Sequence, residues 1–260
     1  MSHTSDKKTL IKRAKDAIRE QFEKAKKEVE ELGGWEGFKS GEWFLKLVKQ
    51  SFHAYYENAN CEFFRAKYPG ADDDTLIKKL TEVAAKNAAI LGGIVGATVS
   101  ADEIAALVTG GEAGVGLPAN IAIAVTAVAG ELILLTRFQL QLVANIAKIM
   151  QVPLDPEDPE DILVIFAFAA GGSVAEATGK AGMKIGAKLT KFGIKNTFKK
   201  EFLKFLKDLA RRLGYKLLQR TIIKYAMPIV SIGIGATWNY ASTRTVSKIA
   251  KKHFTERKKQ

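Results

Sequence analysis

The stretch SDKKTLIKRAKDAIREQFEKAKKEVEEL, residues 5–32, decides the fold class. In it Leu10, Ile11, Ala14, Ile18, Ala25, Val29 and Leu32 recur at steps of three and four, which places them on one face of a helix. The spacing predicts an amphipathic helix of about seven turns. Gly33 and Gly34 follow directly and are read as its end, since glycine adopts the left-handed capping conformation at least steric cost. A second helix is expected over residues 42–67, rich in aromatics (Trp43, Phe44, Phe52, Tyr55, Tyr56, Phe63, Phe64) and closed by the turn Tyr68-Pro69-Gly70. Asp74 is placed to cap a third helix that starts near Thr75 and runs toward Ala89.

Beyond that point the chain changes character. Four stretches carry no charge: residues 87–101, 113–130, 162–175 and 225–243. Crossing a hydrocarbon core about 30 Å thick takes about twenty apolar residues, so the first and third fall short and the others only approach the mark. Gly114, Gly116, Pro118 and Asn120, and likewise Pro228, Gly233, Gly235 and Asn239, weaken the two longer runs further. The expectation is therefore helices buried on all sides within an all-α, compact multi-helix bundle. Gly92 with Gly96, and Gly182 with Gly186, form GxxxG steps that let helix backbones approach closely. Between the runs, residues 152–161 hold Pro153, Pro156 and Pro159 and crowd five carboxylates into positions 155–161. This reads as an acidic connector in which Asp158, Glu160 and Asp161 can cap the next helix. It lacks the glycine and terminal glutamate of an EF-hand, so no metal is assigned. Residues 1–41 are taken as a protruding N-terminal helix with a glycine-rich linker, and 42–260 as the helical domain.

The chain carries a net charge of +12 and a pI near 9.6, which calls for an acidic partner, either anionic headgroups or nucleic acid phosphates. Thirteen lysines and arginines stand against two acids, Glu201 and Asp208, over residues 184–224, so this block holds nearly the whole excess. Lys184, Lys188, Lys191, Lys195 and Lys199 form one helical stripe, which Lys200, Lys204, Lys207, Arg211 and Arg212 extend. Phe192, Phe202, Phe205, Leu209 and Leu213 supply an apolar counterpart. A basic amphipathic helix of this kind suits an anionic membrane surface, each cation near the surface contributing about 1 kcal/mol. The same stripe could follow nucleic acid phosphates, but no helix-turn-helix, zinc-finger or RNP-like pattern accompanies it. It could also be an ordinary solvated helix face.

Catalytic chemistry is not legible. The chain has no GxSxG elbow, Walker A loop or HExxH, and no cofactor is implied. One cysteine, Cys61, excludes an internal disulfide framework, and with three histidines leaves no ligand set for zinc. His53 and Cys61 would stand about 12 Å apart along a helix, too far for a thiolate–imidazole pair. The glycine-rich residues 110–116 match no phosphate-binding loop and read as a flexible hairpin that could also dip into a bilayer. Glu131 and Arg137 interrupt the longest apolar region, and buried charges persist only when paired; Asn239 and Arg244 are their candidate partners from the last apolar helix. Such a cluster could bind a headgroup or simply fix helix register. No signal peptide is visible at MSHTSDKK, and the expected place is the cytoplasm, peripheral to the membrane.

The order of these features resembles the EcsC family of bacterial proteins. The resemblance rests on YPGADDDTLIKKL, AAILGGIVGATV, ELILLTRFQLQLVANIAKIMQV with its acidic linker, and AMPIVSIGIGATWNYASTRTVSKIAKKHF, and so covers most of the chain from about Phe52 onward. The family's name comes from a gene beside an ABC transporter operon, which implies a membrane context and a transporter or other membrane protein as a further partner. It implies no reaction and no catalytic residues. The sequence thus points to a non-enzymatic protein that binds anionic lipid through its basic face. A membrane-inserting or pore-forming effector with stored apolar helices, a lipid-binding carrier and a nucleic-acid-binding protein are the alternatives.

Overall fold

The computed structural model describes residues 2–59, 61–100, 103–104, 119–155, 160–170, 199–226 and 231–259. Among these residues the chain forms nine α-helices and no strand, as the periodicity predicts: α1 (Ser2–Lys27), α2 (Gly34–Ser40), α3 (Glu42–Glu57), α4 (Cys61–Lys67), α5 (Asp73–Gly96), α6 (Ala119–Ile149), α7 (Glu160–Ala169), α8 (Lys199–Ala226) and α9 (Ser231–Arg257). The glycine-rich residues 110–116 and the Gly182/Gly186 step lie outside the described residues.

The first helix is shorter than its periodicity suggests. It ends at Lys27, and a tight turn follows in which the Gly33 and Gly34 amides donate to the carbonyls of Glu30 and Val29, both at 3.0 Å. Gly33 and Gly34 have φ of 109° and 58°, the left-handed geometry that favours glycine. Nor does the whole of α1 protrude: Ile18, Phe22 and Ala25, spaced four and three apart, are buried against α5 and α6. Residues 34–40, read as linker, form α2, which packs on α8. Gly41 lies so close to α8 that a Cβ there would stand 1.9 Å from the Arg211 carbonyl oxygen, while the Trp43 indole N–H donates to the Gly214 carbonyl at 3.3 Å.

The single aromatic helix expected over 42–67 is broken at Asn58, whose side chain donates back to the Ala54 carbonyl at 2.8 Å, leaving α3 and α4 as separate segments. Asp72, two residues before the expected Asp74, caps α5 by accepting the Thr75 amide at 2.8 Å, and Asp74 sits in the first turn. The helix then absorbs most of the uncharged run 87–101. It packs along α9 in the most extensive helix pair of the bundle.

That pair is set by two glycines. A Cβ on Gly92 would lie 2.2 Å from the Gly235 carbonyl oxygen, and one on Gly235 would lie 2.4 Å from that of Gly92. Of the GxxxG step in α5, it is therefore Gly92 that meets a glycine, and its partner is one that seemed only to dilute an apolar run. At the centre lies α6, in contact with α1, α3, α5, α8 and α9. By length and composition Ala122–Ile149 could cross a membrane, yet 72% of its most apolar window is buried by the other helices.

The acidic connector leads out of α6 with Val152 and Leu154 buried and the Leu154 amide donating to the Tyr56 hydroxyl at 3.1 Å. Asp158 lies outside the described residues, whereas Glu160 and Asp161 form the first turn of α7. The Asp161 carboxylate receives Arg257 and stands 2.7 Å from the His253 ring nitrogen, tying α7 to the end of α9. Burial raises the Asp161 pKa, but the hydrogen bond from His253 and the charges of Arg257 and His253 outweigh it, and the net shift is downward.

Gly235→Ala is expected to destabilise the protein by about 1–3 kcal/mol or more, because backbone cannot yield as a side chain can. Gly233→Ala, where a Cβ would meet nothing within 4 Å, should be neutral or stabilising by up to about 1 kcal/mol through helix propensity. Urea denaturation of the two variants tests the contrast. The lowered Asp161 pKa contributes stability that is fully present above the ordinary aspartate value of about 3.9 and is lost as pH falls through the lower, folded-state value. In Asp161→Asn, urea midpoints recorded from pH 5 down to pH 2.5 should fall less steeply than in the parent protein.

Candidate functional site

Three features could carry function: a buried polar cluster, an apolar groove and an exposed basic helix face. The cluster forms where α6, α8 and α9 meet. Lys224 Nζ donates to Glu131 Oε1 at 2.6 Å and to Asn239 Oδ1 at 3.2 Å, while Asn239 Nδ2 donates to the same Glu131 oxygen at 2.7 Å. Lys224 is 1% exposed and Glu131 not at all, so the pair has no access to water. Lys224 Nζ also sits 4.2 Å from the centroid of the Tyr225 ring, a cation–π distance. Burial lowers the Lys224 pKa, and the Glu131 charge works against that shift. Burial, then the nearby Glu131 charge, pushes the Tyr225 phenol well above its ordinary value. Among the described residues, Glu131 Oε2 and the Tyr225 hydroxyl are buried without a partner in hydrogen-bond geometry. The Gly92–Gly235 contact shapes this site, since a Cβ on Gly92 would come within 2.8 Å of Asn239 Nδ2.

Of the four residues expected in a polar cluster, Glu131 and Asn239 meet here and two do not. Arg137 forms a two-pronged pair with Glu28 after α1, at 2.9 and 2.5 Å, because it lies almost two turns beyond Glu131 on the side of α6 that faces α1. Arg244 is exposed, 5.6 Å from the Tyr240 ring centroid. The partner that sequence reasoning missed is Lys224. It was counted with the basic block, although its setting, IIKYA, is apolar on both sides. His53 is 3.1 Å from Glu57, not paired with Cys61.

The groove lies between α1, α5 and α6, with a volume of about 1050 Å³. Phe22, Ile90, Gly93, Ile94, Ile123 and Ala127 are among its lining residues, and Ile123 leaves 61% of its surface to solvent. Lys15, Arg19, Lys26 and Lys27 line it from α1, against one carboxylate, Glu23. Glu23 pairs with Lys26 at 2.8 Å, whereas Lys15, Arg19 and Lys27 make no ion pair with a described side chain.

The basic block resolves into residues with different fates. Lys184, Lys188, Lys191 and Lys195 lie outside the described residues. Lys199 and Lys200 fall in the first turn of α8, while Lys204, Lys207 and Arg212 are exposed along it. Arg211 is not part of a free face: it pairs with Glu42 of α3, whose pKa that hydrogen bond and charge lower. Steps of four, four, three, four and four connect Lys204, Asp208, Arg212, Tyr215, Gln219 and Ile223, all exposed, into one outward stripe of α8. Tyr215 is 47% and Ile223 56% exposed.

No family model, no curated protein and no solved structure matches this chain. The assignment of function therefore rests on geometry and charge.

Removing one partner of a buried ion pair leaves an uncompensated charge and costs about 3–5 kcal/mol, while replacing both with apolar groups can be neutral. Lys224→Met is thus expected to lower stability by about that amount, and Lys224→Met/Glu131→Leu to regain most of it. Urea midpoints and m values of the single and double variants test this. A double variant as unstable as the single one would show that the ion pair is not the source of the loss.

Proposed function

We propose that this protein is a non-enzymatic helical protein that adsorbs to anionic membrane surfaces from the cytoplasmic side. The observation that carries the reading is the outward stripe of α8, in which Lys204 and Arg212, with Asp208 between them, lead to an exposed tyrosine and isoleucine at the other end. Cations are drawn to anionic headgroups, tyrosine favours the headgroup level, and an aliphatic side chain one or two turns on can enter the acyl boundary. Lys207 adds a further exposed cation beside the stripe. A membrane transporter or other membrane protein stays among the proposed partners of a surface-adsorbed protein. A nucleic acid would use the cations but gives no role to an exposed Ile223.

Flotation with vesicles of phosphatidylglycerol and phosphatidylcholine, against phosphatidylcholine alone, tests the proposal. Binding should be confined to the anionic vesicles and should weaken at high salt. At about 1 kcal/mol per cation, Lys204→Ala/Lys207→Ala/Arg212→Ala should lose about 3 kcal/mol, on the order of a hundredfold in affinity. Equal binding to both vesicle types, or an unaffected triple variant, would refute it. Preference for DNA over anionic vesicles would transfer the face to nucleic acid.

A further inference from the structure

We infer that the groove between α1, α5 and α6 seats one acyl chain of an anionic phospholipid, with the headgroup phosphate held at Lys15 and Arg19. This rests on observations independent of the α8 face. The groove has apolar walls and a volume of about 1050 Å³, at the upper end of the range of small-molecule sites. Its length fits a chain. From Lys15 to Lys27 the edge formed by α1 runs about 18 Å at 1.5 Å per residue, and an acyl chain occupies one leaflet, half of a hydrocarbon core about 30 Å thick.

The charge is arranged for an amphiphile. Lys15 and Arg19 stand four residues apart on one helix face, where like charges repel in the absence of an anion. Both are exposed, and neither has an acidic partner among the described residues. A phosphate between them would relieve the repulsion and accept the forked hydrogen bonds that arginine provides. Lys26 is already occupied by Glu23, which leaves Lys15 and Arg19 as the adjacent pair of cations open to a ligand. Ile123, a large aliphatic side chain left mostly to water, would be covered by the chain.

The probe is lysophosphatidylglycerol with a 14-carbon chain, added below its micelle concentration and followed by native mass spectrometry and by fluorescence titration. One molecule should bind per protein, at least tenfold more tightly than lysophosphatidylcholine of the same chain length. Glycerophosphoglycerol, which carries the headgroup alone, should not bind measurably. Gly93→Leu, which fills the groove, should weaken uptake at least tenfold, and Ala97→Trp serves the same end if the first variant does not fold. Lys15→Ala/Arg19→Ala should abolish the preference for the anionic headgroup while leaving some chain binding. Absence of a one-to-one complex, or uptake unchanged in folded groove-filling variants, would overturn the assignment. A dimer lost in Gly93→Leu, with no lipid adduct in the parent protein, would overturn it in favour of a second copy of the chain. The Lys204→Ala/Lys207→Ala/Arg212→Ala variant should retain lysophosphatidylglycerol uptake. Vesicle binding without uptake therefore counts against the groove, and uptake without vesicle binding against the α8 face.

Discussion

Between Glu131 and Lys224 a full ion pair lies out of reach of water, and the central arrangement of the bundle follows from the need to satisfy it. Taking each ion out of water costs several kcal/mol even after the protein relaxes, so the pair is not a source of net stability to be taken for granted. What it imposes is register. Glu131 belongs to α6, Lys224 to α8 and Asn239 to α9, and the three side chains meet only if those helices hold one axial position relative to one another. The glycines at 92 and 235 bring α5 and α9 into backbone contact just one turn before Asn239, and larger side chains there would occupy the space that its amide uses. Close packing and polar satisfaction are thus one constraint at this point.

The same pair bears on what the apolar helices can do. Read by length, α6 is a membrane span; read by its neighbours, it is the core element on which α1, α3, α5 and α9 lie. Moving α6 into lipid would carry Glu131, which lies within the candidate span, away from Lys224. A charged side chain at the centre of a bilayer costs about 2.5–3.5 kcal/mol on insertion scales, beyond the loss of its ion pair. Arg137, paired with Glu28 after α1, would add a second such term. An effector that stores α6 for insertion would have to bring these partners along or neutralise them, and surface adsorption through α8 asks for neither.

Helix type was legible wherever the apolar residues kept a period, and helix ends were legible only where a cap or glycine spoke alone. The face that runs through Ile18, Ala25 and Val29 is the face that packs, and Gly33 and Gly34 turn the chain as their conformational freedom suggests. The break at Asn58 was hidden because aromatic residues on both sides continue a plausible pattern, while the interruption depends on a side-chain hydrogen bond to Ala54. At the candidate sites, Glu131 and Asn239 could be suspected because a polar group in an apolar run must find a partner. Which partner it finds is a matter of tertiary geometry, and Arg137, close in sequence, was drawn to α1 instead. Lys224 escaped notice because charge was summed over a block, and a sum does not separate cations that face water from those that face a carboxylate.

That distinction changes the meaning of the basic character. Within residues 184–224, Lys224 is committed to the interior and Arg211 to Glu42, so part of the apparent concentration of charge neutralises acids elsewhere in the fold. Meanwhile α1, with nine lysines and arginines against four acids along its length, gathers Lys15, Arg19, Lys26 and Lys27 on the edge of an apolar groove that Glu23 alone of the carboxylates lines. Field strength at a surface is set by such local segregation within a Debye length of about 8–10 Å, not by the net charge of a segment. A helix of lower net charge than α8 can therefore still present a well-defined anion site. In α1 that site borders apolar walls, which is the arrangement an amphiphile requires and a purely polar anion does not.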